Sequence, residues 1–551
     1  MNRKKAGAKV KARPSLEWSN LWCIVVLALA LLSAASVRVR LLEVPLERDE
    51  GEYAYAGQML LQGIAPYAQV YNMKLPGTYA AYAIIESTFG ATVAGIHLGF
   101  LLVNAGASVL VFLIGRRLFG GPAGAIAGAS YALLSLSPSV LGTSAHATHF
   151  VVLPVLAGFL LLLQYFESRK PVLGFLSAVL FGLGFVMKQQ GVFFPAFALF
   201  LFGWRIWRTR PLALGPSAAR LGMFGFGLAA PFAFTCAVLW WRGVWSNFWF
   251  WTFEYARAYV STVSIEQGWT NFWSTFTLVV EPSLLIWILA GVGLAAILVD
   301  RKWADRRATM ISFALFSALS ITPGLYFRSH YFVTALPAIA LLAGAGFASV
   351  GGLMLRRHPG RAWGAAPAAL AVIALGWPVL QQRAFFFEMT PIQASRHLYG
   401  LEPFPEAIEI GRRLQEQSEP QDRIAILGAE PEIFFYAHRR SATGYIYVYS
   451  VWENQPYADR MAQEMIREIE TAQPRFVIVQ FIPPRLDGWA RPYLKQFYEL
   501  EGRVDMISDE QTRYYWGADA SKPGPAPRRV IQIFRRRGPL SASARGSLPS
   551  R

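Results

Sequence analysis

Most of the chain alternates between long apolar runs and short polar connections that are rich in lysine and arginine. The apolar runs approach the ~20 residues that a helix needs to cross the hydrocarbon core of a bilayer. We predict eleven membrane-spanning helices, at residues 21–37, 91–114, 121–137, 150–166, 172–187, 192–206, 221–241, 278–299, 308–325, 331–355 and 363–381. The pattern therefore predicts a polytopic α-helical membrane protein.

The connection between the first two spans, residues 38–90, is predicted to hold two short amphipathic helices. Residues 50–62 place apolar side chains on one side of a helix that is too short to span. Such a helix is typical of an element that lies in the membrane interface. Pro76 begins a second short helix that runs to Phe89, and this segment is also compatible with the start of a true span.

The distribution of basic residues decides between these two readings of residues 76–89. If the segment stays at the surface, five basic clusters fall on the cytoplasmic side, as the positive-inside rule requires. These clusters are Arg116-Arg117, Arg169-Lys170, Arg205 with Arg208 and Arg210, Arg301-Lys302 with Arg306-Arg307, and Arg356-Arg357 with Arg361. A span at 76–89 would reverse all of them. We therefore predict about 11 transmembrane helices, a cytoplasmic N-terminus and an extracytoplasmic C-terminus.

Composition and charge agree with a membrane protein. At 551 residues, the chain is 54% hydrophobic, which is too apolar for a soluble protein with one core. The net charge of +18 lies mostly in clusters between spans, so it sets helix orientation, and no nucleic-acid partner is expected. Cys23 and Cys236 both fall inside apolar spans, which excludes a disulfide framework and a thiolate metal site.

The composition changes at about residue 383. Short apolar runs at 423–428, 475–481 and 530–534 are typical of buried strands, and residues 456–472 have helical spacing. We predict a small extracytoplasmic α/β domain. The predicted organisation is a basic N-terminus (1–20), a transmembrane domain (21–382), the α/β domain (383–537) and a disordered tail (538–551).

One predicted outer connection, residues 242–277, is unusually rich in tryptophan. Its five tryptophans are Trp245, Trp249, Trp251, Trp269 and Trp273. Aromatic residues at this density are typical of the membrane–water interface. They would also suit the face of a sugar or a lipid tail, and the sequence leaves both interpretations open.

Three carboxylates, Asp49, Glu50 and Glu52, lie within four positions directly after the first span. Acidic residues at a bilayer are costly, and they mark candidate functional sites. A transfer reaction needs a base for the attacking hydroxyl, and each of the three is a candidate. Asp49-x-x-Glu52 also has the spacing of a helix capping box, and Glu50 suits the helix dipole, so a structural role is an equally open interpretation.

Cations at the predicted outer ends of spans are candidates for binding a phosphate. They are Lys74, Lys188, Arg328 and His330. A single lysine near a membrane is more often an anchor whose ammonium group reaches the interface. His146 and His149 follow the third span, where a histidine is more often merely exposed. The sequence shows no glycine-rich phosphate loop and no metal-ligand cluster of recognisable spacing.

The first outer loop resembles that of GT-C membrane glycosyltransferases, especially the protein O-mannosyltransferase-like (glycosyltransferase family 39) and aminoarabinose transferase-like enzymes. The resemblance lies in Asp49-Glu50-Gly51-Glu52-Tyr53-Ala54-Tyr55-Ala56-Gly57 and Lys74-Leu75-Pro76. Further matches are Arg328-Ser329-His330-Tyr331 and, at the start of the soluble domain, Glu430-Pro431-Glu432. The resemblance implies a GT-C fold in the inner (plasma) membrane.

The same resemblance implies an inverting hexosyl or pentosyl transfer from a polyprenyl-phosphate sugar on the extracytoplasmic face. Its acidic residue maps onto Asp49, as general base or acceptor-positioning carboxylate, and its phosphate-contacting lysine maps onto Lys74. We further expect Glu52 and Tyr53 to contact the substrate. Leu75 stands where many relatives have proline. Some members use a divalent metal, but no second acidic pair is found at a partner position, so no metal or other cofactor is expected.

Two alternatives stay open. A transporter or flippase of lipid-linked sugars would show repeated halves and spans broken near the midplane. No internal repeat is visible, and the candidate polar residues lie in loops. A non-catalytic relative that only binds lipid-linked sugar would look the same in sequence. Neither the sugar nor the acceptor, whether protein, lipid or polysaccharide, can be read from the chain.

Overall fold

The computed structural model of the protein describes residues 20–208, 214–357 and 365–538. The predicted basic N-terminus before residue 20 and the predicted disordered tail after residue 538 lie outside the described residues. The same holds for Arg210 and Arg361, which were assigned to cytoplasmic clusters.

The first two thirds of the chain are helical. In chain order these helices are α1 (Asn20–Arg40), α2 (Arg48–Leu61), α3 (Gly77–Phe89), α4 (Val93–Phe119), α5 (Gly121–Leu134), α6 (Ala147–Ser168), α7 (Pro171–Met187), α8 (Phe193–Arg208), α9 (Leu214–Trp241), α10 (Trp245–Trp249), α11 (Ala256–Val260), α12 (Ile265–Val280), α13 (Leu284–Val299), α14 (Ala304–Leu319), α15 (Leu336–Arg357) and α16 (Ala366–Gln381).

Each of the eleven predicted spans lies mainly in one helix, and these helices are α1, α4 to α9 and α13 to α16. Within the described ranges, seven helical segments are long and apolar enough to cross a membrane, and α7 and α16 are shorter apolar helices. The prediction of a multi-pass helical protein is confirmed. The exact number of eleven spans stays a prediction, because α5 and α14 have only 14 and 16 residues.

The ends of α4 illustrate how the sequence sets the limits of a span. Thr92 accepts a hydrogen bond from the Gly95 amide at the start, which satisfies one of the free amides there. Gly120 ends the helix with a φ of 98°, a conformation that glycine adopts without strain. Arg116 and Arg117 occupy the last turn, where cations interact favourably with the helix dipole.

The prediction that Asp49 and Glu52 form the capping box of α2 is wrong. The box consists of Glu47 and Glu50: the Glu50 amide donates to Glu47 Oε1 at 3.0 Å, and the Glu47 amide donates to Glu50 Oε2 at 3.4 Å. Two acid-x-x-Glu patterns overlap in this segment, and the helix begins on the earlier one. Asp49 therefore lies inside the first turn with its carboxylate free of the cap.

The prediction that α2 lies on the membrane surface is also wrong, because every residue from Glu50 to Met59 is buried. The helix packs between α3 and the C-terminal domain. By contrast, α3 keeps the predicted amphipathic character: Tyr79 and Tyr82 are buried, while Ile84 is 66% exposed.

The C-terminal domain is a small mixed sheet with helices, which confirms the predicted α/β domain. Its helices are α17 (Pro391–Tyr399), α18 (Phe404–Glu416), α19 (Glu432–Ala437), α20 (Tyr449–Trp452), α21 (Ala458–Ala472) and α22 (Pro484–Phe497). Its strands are β1 (Arg423–Leu427), β2 (Arg440–Ser441), β3 (Phe476–Val479), β4 (Tyr498–Met506), β5 (Thr512–Trp516) and β6 (Arg529–Arg536), in the order β2-β1-β3-β6-β4-β5. β1 is parallel to β2 and β3, whereas β6 runs antiparallel to β3 and β4.

The C-terminal domain rests directly on the first outer loop. A Cβ atom added to Gly51 of α2 would lie 2.5 Å from Glu432 Cβ, so only glycine allows α2 and α19 to approach this closely. The Arg48 Nε donates to the Ala429 carbonyl at 2.7 Å, and the Tyr71 amide donates to the Gly444 carbonyl at 2.8 Å. The outer loop and the C-terminal domain therefore lie on the same side of the spans.

Candidate functional site

A cavity of about 800 Å³ lies where the first outer loop, the ends of several spans and the C-terminal domain meet. This volume is within the range of small-molecule binding sites. The polar side chains that line it include Glu47, Arg48, Asp49, Lys74, His146, Lys188, Gln189, Gln190, Arg328, His330, Glu402 and Glu453. The remaining wall is largely aromatic.

Asp49 and Tyr53 reach this cavity from α2. They are four residues apart, so they lie on the same face of the helix, one turn from each other. Both side chains line the cavity, and 24% of the Asp49 side chain is exposed. The neighbouring Glu50 and Glu52 are 0% exposed. Of the three clustered carboxylates, only Asp49 is thus placed to meet a ligand.

Lys74 lies in the loop between α2 and α3 and is held beside Asp49. Its Nζ donates to Asp49 Oδ1 at 2.7 Å and to Glu52 Oε2 at 2.7 Å. The ammonium also lies 4.5 Å from the centre of the Tyr53 ring. Burial alone would lower the pKa of Lys74, but the carboxylates of Asp49 and Glu52 outweigh it and raise the pKa above its ordinary value. The lysine is therefore charged.

Glu52 acts as an internal anchor for this loop. Besides Lys74, its carboxylate accepts hydrogen bonds from Asn72 at 2.9 Å and from the hydroxyls of Tyr79 and Tyr447. These donors come from the outer loop, α3 and the C-terminal domain. Glu52 therefore fixes the position of Lys74 from the protein interior, and its charge is satisfied without a ligand.

Glu50 is a second internal anchor. Its Oε1 accepts from the Ala145 amide at 2.6 Å and lies 3.1 Å from His97 Nε2. These contacts tie the start of α2 to α4 and to the loop before α6. The structure therefore places Glu50, predicted as a possible base, in the interior and away from the cavity.

Asp49 and its neighbour Glu47 are pushed to opposite protonation states. Burial, together with the charges of Asp49 and Glu50, raises the pKa of Glu47 well above its ordinary value. Burial would also raise the pKa of Asp49, but the charge and the hydrogen bond of the Lys74 ammonium overcome this and hold the pKa of Asp49 well below the usual range. Of the two carboxyls, Asp49 is the one that is ionised and able to accept a proton.

Lys188 reaches the cavity from the end of α7. A Cβ atom on Gly77 would lie 2.5 Å from the Val186 carbonyl oxygen, and Thr78 donates to the Met187 carbonyl at 2.8 Å, so α3 packs tightly against this helix end. Lys188 Nζ lies 4.5 Å from the centre of the Tyr331 ring. Burial lowers the pKa of Lys188 to about 7, with Asp49 opposing and Lys74 and Arg328 adding to the shift.

Arg328 and His330 come from the segment before α15. Arg328 Nη2 donates to the Tyr259 hydroxyl at 3.1 Å. His330 stacks on His146, with ring centres 4.2 Å apart. The structure therefore brings together Asp49, Tyr53, Lys74, Lys188, Arg328 and His330 from distant parts of the sequence, whereas Glu50 and Glu52 support them from the interior.

The loop histidine His146 belongs to the cavity, although its position in the sequence gave it low weight. It is 2% exposed, and its ring nitrogens have no hydrogen-bond partner within the described part of the chain. Burial lowers the pKa of His146 to about 4, so the ring is neutral. His149 lies elsewhere, in α6, with its Nδ1 3.0 Å from Asn104 Oδ1.

Asp49, His146 and His330 form a group that can hold a metal ion, because one ligand atom of each lies within 4.8 Å of the others. A carboxylate and two imidazoles suit several divalent transition metals. The sequence could not show this group, because its members lie on three separate segments. However, Lys74 already binds one Asp49 oxygen, and Lys188 adds a further nearby cation, which opposes a second positive charge. The absence of a metal requirement stays a prediction.

Sequence reasoning also missed Glu47 and the aromatic wall of the cavity. Tyr255 and Tyr259 come from the tryptophan-rich connection, and Trp251 lines the cavity beside them. Trp269 and Trp273, from the same connection, are 64% and 47% exposed, as expected for the membrane interface. The segment therefore contributes both to the cavity wall and to the exposed surface, and both interpretations stay predictions.

Comparison with known proteins agrees with this architecture. Residues 74–234 match the family model described as Dolichyl-phosphate-mannose-protein mannosyltransferase. The crystal structure of ArnT from Cupriavidus metallidurans bound to undecaprenyl phosphate is similar over 94% of this chain and 98% of its own, with a TM-score of 0.56 and 16% identity. The resemblance predicted from the sequence is confirmed. The chain has a GT-C-type fold.

A second GT-C structure is similar over most of the chain. AglB from Archaeoglobus fulgidus, in complex with an inhibitory peptide and a dolichol-phosphate, matches 90% of this chain and 74% of its own, with a TM-score of 0.50 and 13% identity. At these identities the likeness concerns the fold. No curated protein sequence is significantly similar to this chain.

Proposed function

We propose that the protein is a membrane glycosyltransferase that moves a sugar from a polyprenyl-phosphate carrier to an acceptor hydroxyl with inversion. One observation carries the proposal: an ionised carboxylate and three cationic side chains converge on one cavity beside the spans. This set provides a base for the acceptor and charges for a leaving phosphate, both of which glycosyl transfer needs.

In the proposed reaction, Lys74, Lys188 and Arg328 bind the phosphate of the donor. The acceptor hydroxyl gives its proton to Asp49 Oδ2, the oxygen that Lys74 leaves open. The acceptor oxygen attacks the anomeric carbon from the face opposite the phosphate, and the bond from that carbon to the phosphate oxygen breaks. Polyprenyl phosphate leaves with the electron pair, and the cations stabilise its added charge.

The comparisons support the class of donor. The ArnT structure contains undecaprenyl phosphate, and the AglB structure contains a dolichol-phosphate. Both ligands are phosphates on a long prenyl chain. We infer that the same class binds here, with its phosphate at Lys74 and Lys188 and its chain directed to the membrane.

The proposal is tested with a panel of radiolabelled polyprenyl-phosphate sugars, both hexoses and pentoses. Purified protein returned to membranes is incubated with each donor, and label is followed into protein, lipid and polysaccharide fractions. We expect label from at least one donor to move into one fraction with wild-type protein. Movement of the intact donor across the bilayer without transfer would instead support a flippase. Tight donor binding without either result would support a non-catalytic binding protein.

We further propose that the site faces the extracytoplasmic side of the plasma membrane. The positive-inside pattern supports this orientation. Single cysteines at the exposed residues Gln62 and Gln415, in a background without Cys23 and Cys236, test it with an impermeant reagent. Both sites should react from outside intact cells. Labelling only after the membrane is opened would contradict the proposed orientation and place both residues on the cytoplasmic side.

A further inference from the structure

The cavity extends beyond the phosphate-binding end to the C-terminal domain, which forms its far wall. This wall consists of Tyr447, Tyr449 and Glu453, with Arg48, Glu402 and Phe404 beside them. None of these side chains has a role in the proposed proton transfer or in phosphate binding. The wall is nevertheless continuous with the site that contains Asp49.

One helical segment connects the far wall to the phosphate-binding end. The Tyr259 hydroxyl accepts a hydrogen bond from Arg328, and the Tyr255 hydroxyl donates to Glu453 Oε2 at 3.2 Å. The two tyrosines are four residues apart on one helical segment, so this segment contacts both ends of the cavity.

The wall combines carboxylates with an exposed aromatic ring. Glu453 is partly buried, and its Oε1 makes no hydrogen bond to any residue the structure describes. Glu402 is paired with Arg48 at 3.0 Å and with Arg529 at 2.9 Å. Tyr449 is 37% exposed and lies under the Arg48 guanidinium, 5.4 Å from it. Carboxylates accept hydrogen bonds from hydroxyls, and an aromatic face packs against the apolar face of a ring.

We propose that this wall is a subsite for a polyhydroxylated, non-acidic sugar ring, a proposal that rests on the proposed function. Glu453 accepts hydrogen bonds from ring hydroxyls, and Tyr449 packs against the ring. The ring belongs either to the donor or to a glycosidic acceptor. In both cases the C-terminal domain is part of the substrate-binding site.

The charge of the wall excludes an acidic ring. Arg48 lies in this wall, and it is committed to Glu402 and to the Ala429 carbonyl. Arg328 also acts on Glu453, but in the proposed function it binds the donor phosphate. With that phosphate bound, a sugar carboxylate placed here would face Glu453 without a free cation, and like charges in such a site repel. The subsite should therefore discriminate neutral rings from uronic acids.

Binding measurements in lipid nanodiscs test the donor arm. The probes are undecaprenyl phosphate, undecaprenyl phosphate-mannose and undecaprenyl phosphate-glucuronic acid. Wild-type protein should bind the mannose lipid at least tenfold more tightly than the glucuronic acid lipid. Tyr449→Ala should weaken binding of the mannose lipid about tenfold and leave binding of undecaprenyl phosphate unchanged. Glu453→Gln, which keeps an acceptor for Tyr255, should reduce the discrimination against glucuronic acid at least fivefold.

The acceptor arm uses methyl α-mannoside, added to protein that is saturated with undecaprenyl phosphate. If the ring comes from the acceptor, Tyr449→Ala weakens binding of this glycoside and leaves the mannose lipid unaffected. The matched control is Asn454→Ala, which changes an exposed residue next to Glu453. The control should behave as wild type with every probe.

The outcomes separate this proposal from the proposed function. If wild-type protein fails to bind undecaprenyl phosphate, the proposed function fails. If it binds undecaprenyl phosphate but Tyr449→Ala and Glu453→Gln change no sugar-dependent binding in either arm, the subsite is overturned and the proposed function stands. If Tyr449→Ala weakens binding of the mannose lipid, equal affinity of the wild type for the mannose and glucuronic acid lipids would overturn the non-acidic specificity.

Discussion

The first two turns of α2 present carboxylates to two different environments. On the cavity side, Asp49 has one paired oxygen and one open oxygen. On the interior side, Glu50 and Glu52 are completely buried and accept hydrogen bonds from several elements. Residues of nearly identical chemistry thus serve different purposes, and the direction in which each side chain leaves the helix decides which.

The carboxylates on the two sides of α2 differ in whether they support the fold or can take part in the reaction. A buried carboxylate with donors on every side stabilises the arrangement of those donors, and its removal should weaken the fold. A carboxylate at a cavity with an open oxygen contributes little to the fold but can accept a proton. Mutations on the two sides of α2 should therefore affect different measurements.

The largest effect is expected for Asp49→Asn. If Asp49 is the base, the substitution should lower kcat by about 10²–10⁴-fold, the usual contribution of a positioned base. The unfolding midpoint should fall less than in Glu52→Gln, because Asp49 does not cap the helix and gives up only its contact with Lys74. Steady-state transfer and thermal unfolding of the same preparation measure both. Near-normal transfer would remove Asp49 from the role of base.

Glu52→Gln should show the opposite pattern. The change removes a buried negative charge that accepts from Lys74, Asn72 and two tyrosines. We expect a loss of about 3 kcal/mol in the free energy of unfolding, the lower end of the cost of breaking a buried ion pair. Denaturant unfolding in detergent, with Asp49→Asn as the matched control, checks this. Unchanged stability would show that Glu52 is not an anchor.

Lys74→Ala should weaken use of the donor. A charge-assisted hydrogen bond to phosphate is worth ~1.5–3 kcal/mol, so kcat/KM should fall by about 10–150-fold. Lys74→Arg keeps the charge with a different geometry and should give an intermediate value. Donor titration of the purified variants measures the effect. If Lys74 were only an interfacial anchor, kcat/KM would not change.

Lys188 predicts a pH dependence of donor binding. The lysine binds phosphate as an ammonium, and burial lowers its pKa to about 7 in the free site. Above pH 7 the protonated fraction falls tenfold per unit, so the donor dissociation constant should rise by up to tenfold per unit. Lys188→Arg remains charged and should show a flat profile between pH 6 and 9. A flat profile for the wild type would contradict this role.

The smallest effect is expected for metal removal. The cations around Asp49 provide the positive charge that a metal would otherwise supply, so treatment with EDTA should leave kcat within about twofold of the untreated protein. The same EDTA treatment of His146→Ala and His330→Ala, which each lack one candidate metal ligand, provides the comparison. Loss of activity with EDTA, restored by one divalent metal, would assign Asp49, His146 and His330 as its ligands.

The helices of the first two thirds of the chain were predictable because hydrophobic length is a local signal, whereas the number of spans and their orientation stay predictions. Each predicted span coincides with a helix, and the three predicted strands coincide with β1, β3 and β6. The environment of α2 was not predictable in this way. The face of α2 opposite α3 is covered by α19, which follows nearly 400 residues later in the chain. The hydrophobic pattern of α2 itself does not indicate a partner so distant in sequence.

The types of residue in the candidate site were predictable, but which residues line the cavity was less so. Asp49, Lys74, Lys188, Arg328 and His330 were identified from their positions at span ends, and the structure brings them to one cavity. The roles of Glu50 and Glu52 depend on which side of α2 each side chain occupies. The overlapping capping patterns left the first residue of this helix ambiguous. The neutral, stacked pair of His146 and His330 could not be read from two isolated histidines.

Donor binding and transfer, measured together for Asp49→Asn with the labelled donor that the wild-type enzyme uses, test whether this carboxylate is the base. We expect the variant to bind this donor as tightly as the wild type or more tightly, because Lys74 loses one of its two carboxylate partners and keeps Glu52. Transfer should nevertheless fall at least 100-fold. A variant that transfers sugar at the wild-type rate, or loses transfer only in proportion to lost binding, would contradict the assignment of this cavity as a site of base-assisted glycosyl transfer.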